Sequence, residues 1–138
     1  MLHKKPNGIC SEMMEKVKSI ADSIIQIRLD TGESLALASQ ITDKLNVDYN
    51  RFNNLFLSEC GMTIERVYMM RIVEKTKELL VYTEQTIAQI AKTLGFGDTY
   101  SLSEILEQNT GLTSSHFKAI RKSKLDTIKK QQEEQNEI

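Results

Sequence analysis

The sequence predicts an all-α fold built from two helix-turn-helix subdomains of the three-helical, homeodomain-like kind, joined by a long linker helix and preceded by an extra N-terminal helix. Three observations carry this. One proline, six glycines and 6% aromatic residues in 138 leave little punctuation for β-hairpins. Apolar residues recur three and four apart through most of the chain. A pattern of short helix, tight turn, second helix and glycine stop occurs twice. The length suits one compact domain or two very small ones.

Residues 1–10, with Pro6, Asn7 and Gly8, are read as a loose tail. Over 11–33, Met13, Val17, Ile20, Ile24 and Ile27 form a helical stripe that Met14, Ala21 and Ile25 widen, and Asp30-Thr31-Gly32 closes it. A first helix-turn-helix follows over 34–61. Ser34 offers a cap to a helix carrying Leu37, Ile41 and Leu45, and Asn46-Val47 turns the chain. Asp48 then caps a helix whose core face is Phe52, Leu55 and Phe56, until Gly61 stops it.

The linker helix is expected over 63–82, where Ile64, Tyr68, Ile72, Thr76 and Leu80 repeat every four residues beside Val73 and Leu79. The second helix-turn-helix, 86–111, has Ile87, Ile90, Ala91 and Leu94, a stop at Gly95, a cap at Asp98, then Leu102, Ile105 and Leu106 before Gly111. Thr113 caps a final helix, 113–124, through Phe117 and Ile120. Beyond it the apolar pattern fades, so 125–138 is read as a polar tail, frayed from Gln131 onward.

Superposing Ile41 and Leu45 on Ile90 and Leu94 brings Leu55-Phe56 near Ile105-Leu106 and Gly61-Met62-Thr63 onto Gly111-Leu112-Thr113, with one extra residue in the second turn. A capped second helix after a tight turn is the build of a major-groove reader. Two copies say more than one, because any helical hairpin has caps and apolar spacing. A connector of about 19 residues at about 1.5 Å each spans roughly 28 Å, near the roughly 34 Å between successive major-groove faces.

These residues resemble the DNA-binding domain of the AraC/XylS family of bacterial transcription regulators. The resemblance runs from Ser34 to Lys122. It rests on Leu55-Phe56 before Gly61-Met62-Thr63, on Leu79-Leu80, on the run Thr86 to Phe96, on Asp98, on Gly111-Leu112-Thr113 and on Phe117-Lys118. It implies a sequence-specific DNA-binding regulator with double-stranded DNA as partner, and RNA polymerase or another regulatory protein as further partners. The family's effector-binding or dimerisation domain has no room here, so the chain is either a short stand-alone member or a fragment of a longer regulator.

Carried over position by position, the resemblance implies a first base-reading surface at Asn50, Asn53 and Asn54, residues that share one helical face at i, i+3 and i+4. Asparagine can bond adenine N6 and N7 together, while Arg51 and Lys44 are candidates for phosphate. The second surface falls on Thr99, Tyr100, Ser103 and Glu104. There the chain departs from the family, with Glu104 and Glu107 at commonly basic positions and no lysine or arginine between Asp98 and Thr113. A carboxylate facing the groove meets phosphate repulsion and brings no counterion release. Ile72 stands where the family often has arginine, with Arg71 one residue earlier, so an internal polar contact is expected to differ. Late positive charge at Lys118, Arg121, Lys122, Lys124, Lys129 and Lys130 is expected to follow the phosphate backbone, with Thr113, Ser114 and Ser115 offering backbone N–H groups at a helix start.

The net charge of −1 excludes wholesale attraction to nucleic acid or membrane and leaves room for a local basic face. No apolar run reaches the roughly 20 residues of a membrane span, and no signal-peptide core precedes Cys10, so a cytoplasmic protein is expected. Cys10 and Cys60 fit that compartment, and with His3 and His116 they make no metal-ligand set, so no metal or cofactor is expected. No phosphate loop, paired carboxylates or activated nucleophile is legible, and an enzyme is not expected. The rival reading is a double helix-turn-helix domain that has drifted to protein contacts, with weak or no DNA binding.

Overall fold

The computed structural model describes residues 8–136 and is all-α, with seven helices and no strand among the described residues. They are α1 (Gly8–Thr31), α2 (Leu37–Leu45), α3 (Tyr49–Cys60), α4 (Ile64–Tyr82), α5 (Ile87–Thr93), α6 (Thr99–Thr110) and α7 (Ser114–Asn136). The chain divides within α4 into two compact units, 1–72 and 73–138.

In the first unit, α1 packs on α2 and α3 because its apolar residues fall every three or four positions. Met13, Val17, Ile20, Ala21, Ile24 and Ile25 are buried. Four of them, Met13, Val17, Ile20 and Ile24, join Ile41, Phe56, Ile64 and Val67 in one core. Burying a side chain of this size is worth about 1.5 to 3 kcal/mol, so α1 is a structural part of the unit. Arg71 of α4 reaches back to Asp22 of α1 through Nε at 2.8 Å and Nη2 at 3.1 Å, a forked charge-assisted pair. Ile72 beside it is buried. The polar contact therefore belongs to Arg71.

The two helix-turn-helix units repeat at the level of their caps. Asp48 and Asp98 accept the N–H of Arg51 and Ser101, and α3 and α6 are each 12 residues long. Both end on a glycine at φ 75°, Gly61 and Gly111, whose N–H groups bond Leu57 and Glu107 carbonyls. A left-handed residue fits there because it turns the chain off the helix while satisfying a free carbonyl. In the second unit α5 packs on α6, with a Thr86–Gln89 capping box opening α5, and Ile90, Ala91, Leu102 and Leu106 are buried.

Several expectations are corrected. Helix α1 begins at Gly8, taking in the end of the expected loose tail, while residues 1–7 lie outside the described residues. Ser34 does not cap α2, which starts at Leu37 after an extended Ala36 with no side-chain cap. Leu55 is 48% exposed and is not a core residue. Helix α7 continues to Asn136 through the expected polar tail, because Lys, Gln and Glu are good helix formers that need no apolar stripe; residues 137–138 lie outside the described residues. Cys10 and Cys60 are joined in a disulfide across 50 residues, tying the first turn of α1 to the end of α3.

Candidate nucleic-acid interface

Helix α3 is fixed on its inner side by Phe52 and Phe56, half-buried and buried, whose rings lie 6.3 Å apart. A helix held along one stripe presents the opposite stripe to solvent. Asn50, Arg51 and Asn54 are exposed there, and between Asp48 and Glu59 the helix carries no carboxylate. Arg51 and Leu55, one turn apart, border a shallow depression with Val47, Asp48 and Phe52. Lys44 is exposed on the last turn of α2.

Asn53 departs from the shared exposed face. It is half-buried, its Oδ1 accepts the Ile64 N–H at 3.0 Å, and its Nδ2 donates to Glu65 Oε1 at 3.4 Å. Periodicity places it one turn from Asn50, but α3 abuts the start of α4 on that side, where free N–H groups need acceptors. Tyr49 also donates its hydroxyl to Glu65. Burial first, and then this bond, raise the Tyr49 pKa; the same bond leads in holding Glu65 below its ordinary value.

Helix α6 presents a different surface. Tyr100 is 73% exposed, Glu104 is exposed, and Thr99 and Ser103 are half-buried. Gln108 Nε2 donates to Glu104 at 3.3 Å, and a hydrogen bond to Glu104 is the leading cause of a raised Tyr100 pKa. Tyr100, Glu104 and Gln108, each one turn from the next, line one exposed polar row with Glu107 exposed beside it. Gln108 is a residue that family positions alone do not single out. Nothing on this helix carries positive charge.

The late basic cluster is split. Lys118 Nζ donates to the Thr83 carbonyl at 3.1 Å and Arg121 Nη1 to the Val81 carbonyl at 3.3 Å, so both engage the carbonyl end of α4. Burial, followed by the Arg121 charge, lowers the Lys118 pKa. Both therefore depart from the expected phosphate row, whereas Lys122, Lys129 and Lys130 are exposed and Lys124 lies 5.8 Å from the Tyr82 ring centre. At the start of α7, Thr113 Oγ1 bonds His116 Nδ1 at 2.9 Å; Ser114 is half-buried and Ser115 exposed. Among the described residues, no helix is long and apolar enough to cross a membrane.

The helix-turn-helix domain family matches residues 41–120. Among solved structures, the chain is similar to the C-terminal domain of AraT, a response regulator from Geobacillus stearothermophilus, at 20% identity and TM-score 0.59, covering 79% of this chain and 85% of that one. It is similar to a Chromobacterium violaceum transcriptional regulator of the AraC-type DNA-binding domain-containing proteins, at 20% identity and TM-score 0.61, covering 78% and 93%. A third match is the DNA-binding domain of AdpA, a global transcriptional factor in complex with a target DNA, at 13% identity and TM-score 0.60, covering 78% and 94%. No curated protein matches the chain.

Proposed function

Since the chain belongs to the AraC/XylS family of helix-turn-helix DNA-binding regulators, we propose that it recognises a specific duplex sequence mainly through α3 and acts in the cytoplasm on transcription. The observation that carries this is the solvent face of α3, where Asn50, Arg51 and Asn54 stand together with no carboxylate among them. Two asparagines offer paired donor and acceptor groups to adenine edges, and an arginine between them serves either guanine or phosphate. Lys44 on α2 and Lys122, Lys129 and Lys130 on α7 add backbone contacts that carry affinity without sequence. Thr113, Ser114 and Ser115 add a helix start that suits a phosphate.

Helix α6 supports a lesser share. Its row of Tyr100, Glu104 and Gln108, with Glu107 beside it, faces solvent with negative charge, which opposes a phosphate-lined groove. That same row favours the second reading, in which the second unit contacts another protein, RNA polymerase or a regulator, while the first unit holds DNA.

Selection of bound duplexes from a random pool, at two salt concentrations, tests the proposal. An enriched motif that vanishes when Asn50 and Asn54 are both changed to alanine is the expected result. Absence of enrichment, with no binding at low salt, would assign the fold to protein contacts instead.

A further inference from the structure

We propose that Glu65 is the positioning residue of the DNA-reading helix, holding α3 at a fixed angle to α4 by a latch with Tyr49 and Asn53; the inference rests on the reading of α3 as the base-contacting element. The latch has three bonds between two helices. Glu65 accepts from the Tyr49 hydroxyl and from Asn53 Nδ2, and Asn53 Oδ1 accepts the Ile64 N–H. The amide orientation is dictated by chemistry, because reversing it would aim the NH₂ group at a backbone donor and the carbonyl at a carboxylate.

The partners sit where leverage on the reading face is greatest. Tyr49 is the first residue of α3, adjacent to Asn50, and Asn53 is adjacent to Asn54. Each of the two latch residues on α3 therefore neighbours an exposed base-contact candidate in the same stretch of backbone. Base discrimination by bidentate contacts demands placement within fractions of an ångström, whereas phosphate contacts tolerate more. The second unit has Thr99, Ser103 and Ser115 at the positions matching Tyr49, Asn53 and Glu65. Those side chains are too short and uncharged to build the same latch. The first unit alone carries this device, in keeping with its assignment as the principal reader.

The experiment compares five proteins in the random-pool selection: the wild type, Glu65→Ala, Glu65→Gln, Tyr49→Phe and, as a reader control, Asn54→Ala. Thermal unfolding is measured on each. For Glu65→Ala, preference is expected to weaken at every base pair read by α3, with the ratio of specific to non-specific binding down about tenfold, as the loss of a charge-assisted bond suggests. Low-salt binding to random DNA should not weaken, since removing a carboxylate can only ease repulsion by the phosphates. Glu65→Gln should recover most of the preference because it keeps the acceptor, and Tyr49→Phe should fall between. Asn54→Ala should flatten one base pair only. A Glu65→Ala protein with an unaltered profile and a lowered unfolding temperature would overturn the latch and leave the reading helix standing. An Asn54→Ala profile identical to the wild type would overturn the reading helix itself and the latch with it.

Discussion

Asn54 and Lys122 are both exposed, and they are assigned opposite kinds of contact. Asn54→Ala should cost about 1 to 3 kcal/mol of discrimination at one base pair, whereas Lys122→Ala should weaken all sequences alike and reduce the salt slope by about one; affinities for a set of single-base-substituted duplexes separate the two. Glu65 makes a second prediction, in pH. Its hydrogen bond from Tyr49 lowers its pKa in the folded chain, below the ordinary 4.5. A depressed carboxylate pKa contributes stability above the unfolded value that disappears as pH falls through the folded one. The stability gap between wild type and Glu65→Gln should therefore be constant near neutrality and close below about pH 4.5, read by thermal unfolding across pH. A gap independent of pH throughout would mean that the charge of Glu65 does not matter. Asn53 marks what the sequence leaves out at this scale. Helical spacing puts it with Asn50 and Asn54, but its direction is decided by α4, whose first turn needs an acceptor.

Helices are where the sequence is most informative. Asp48 and Gly61 bound α3, and Asp98 and Gly111 bound α6, because a side-chain acceptor and a left-handed glycine are local requirements. Helix α7 is longer than its apolar pattern because propensity alone sustains its outer turns. Lys118 and Arg121 could not be assigned locally either, since the carbonyls they bond lie 35 and 40 residues earlier. At the scale of α6, charge makes the prediction. Glu104→Arg should strengthen non-specific DNA binding and steepen its salt dependence, as one added phosphate contact contributes a slope of about −0.9. Titrations at several salt concentrations measure it, and an unchanged slope would mean that α6 does not approach DNA.

Across the whole molecule, both cysteines belong to the first unit. Closing a loop of 50 residues constrains the unfolded chain by about 4 kcal/mol in the chain-entropy account. Treatment with a dithiol reductant should thus lower amide protection in α1, α2 and α3 while leaving α5 and α6 unaltered, which hydrogen exchange resolves helix by helix. Equal loss in all helices would mean that the disulfide stabilises more than its own unit. No local signal in the sequence announces this bond, because it depends on α1 lying across α3. It also has a topological effect on proteolysis. The segment 32–36 between α1 and α2 lies inside the closed loop. One cut there leaves a two-piece protein still held as a single covalent species. Its mass by electrospray should rise by one water and nothing more, and only after reduction should the N-terminal peptide come away.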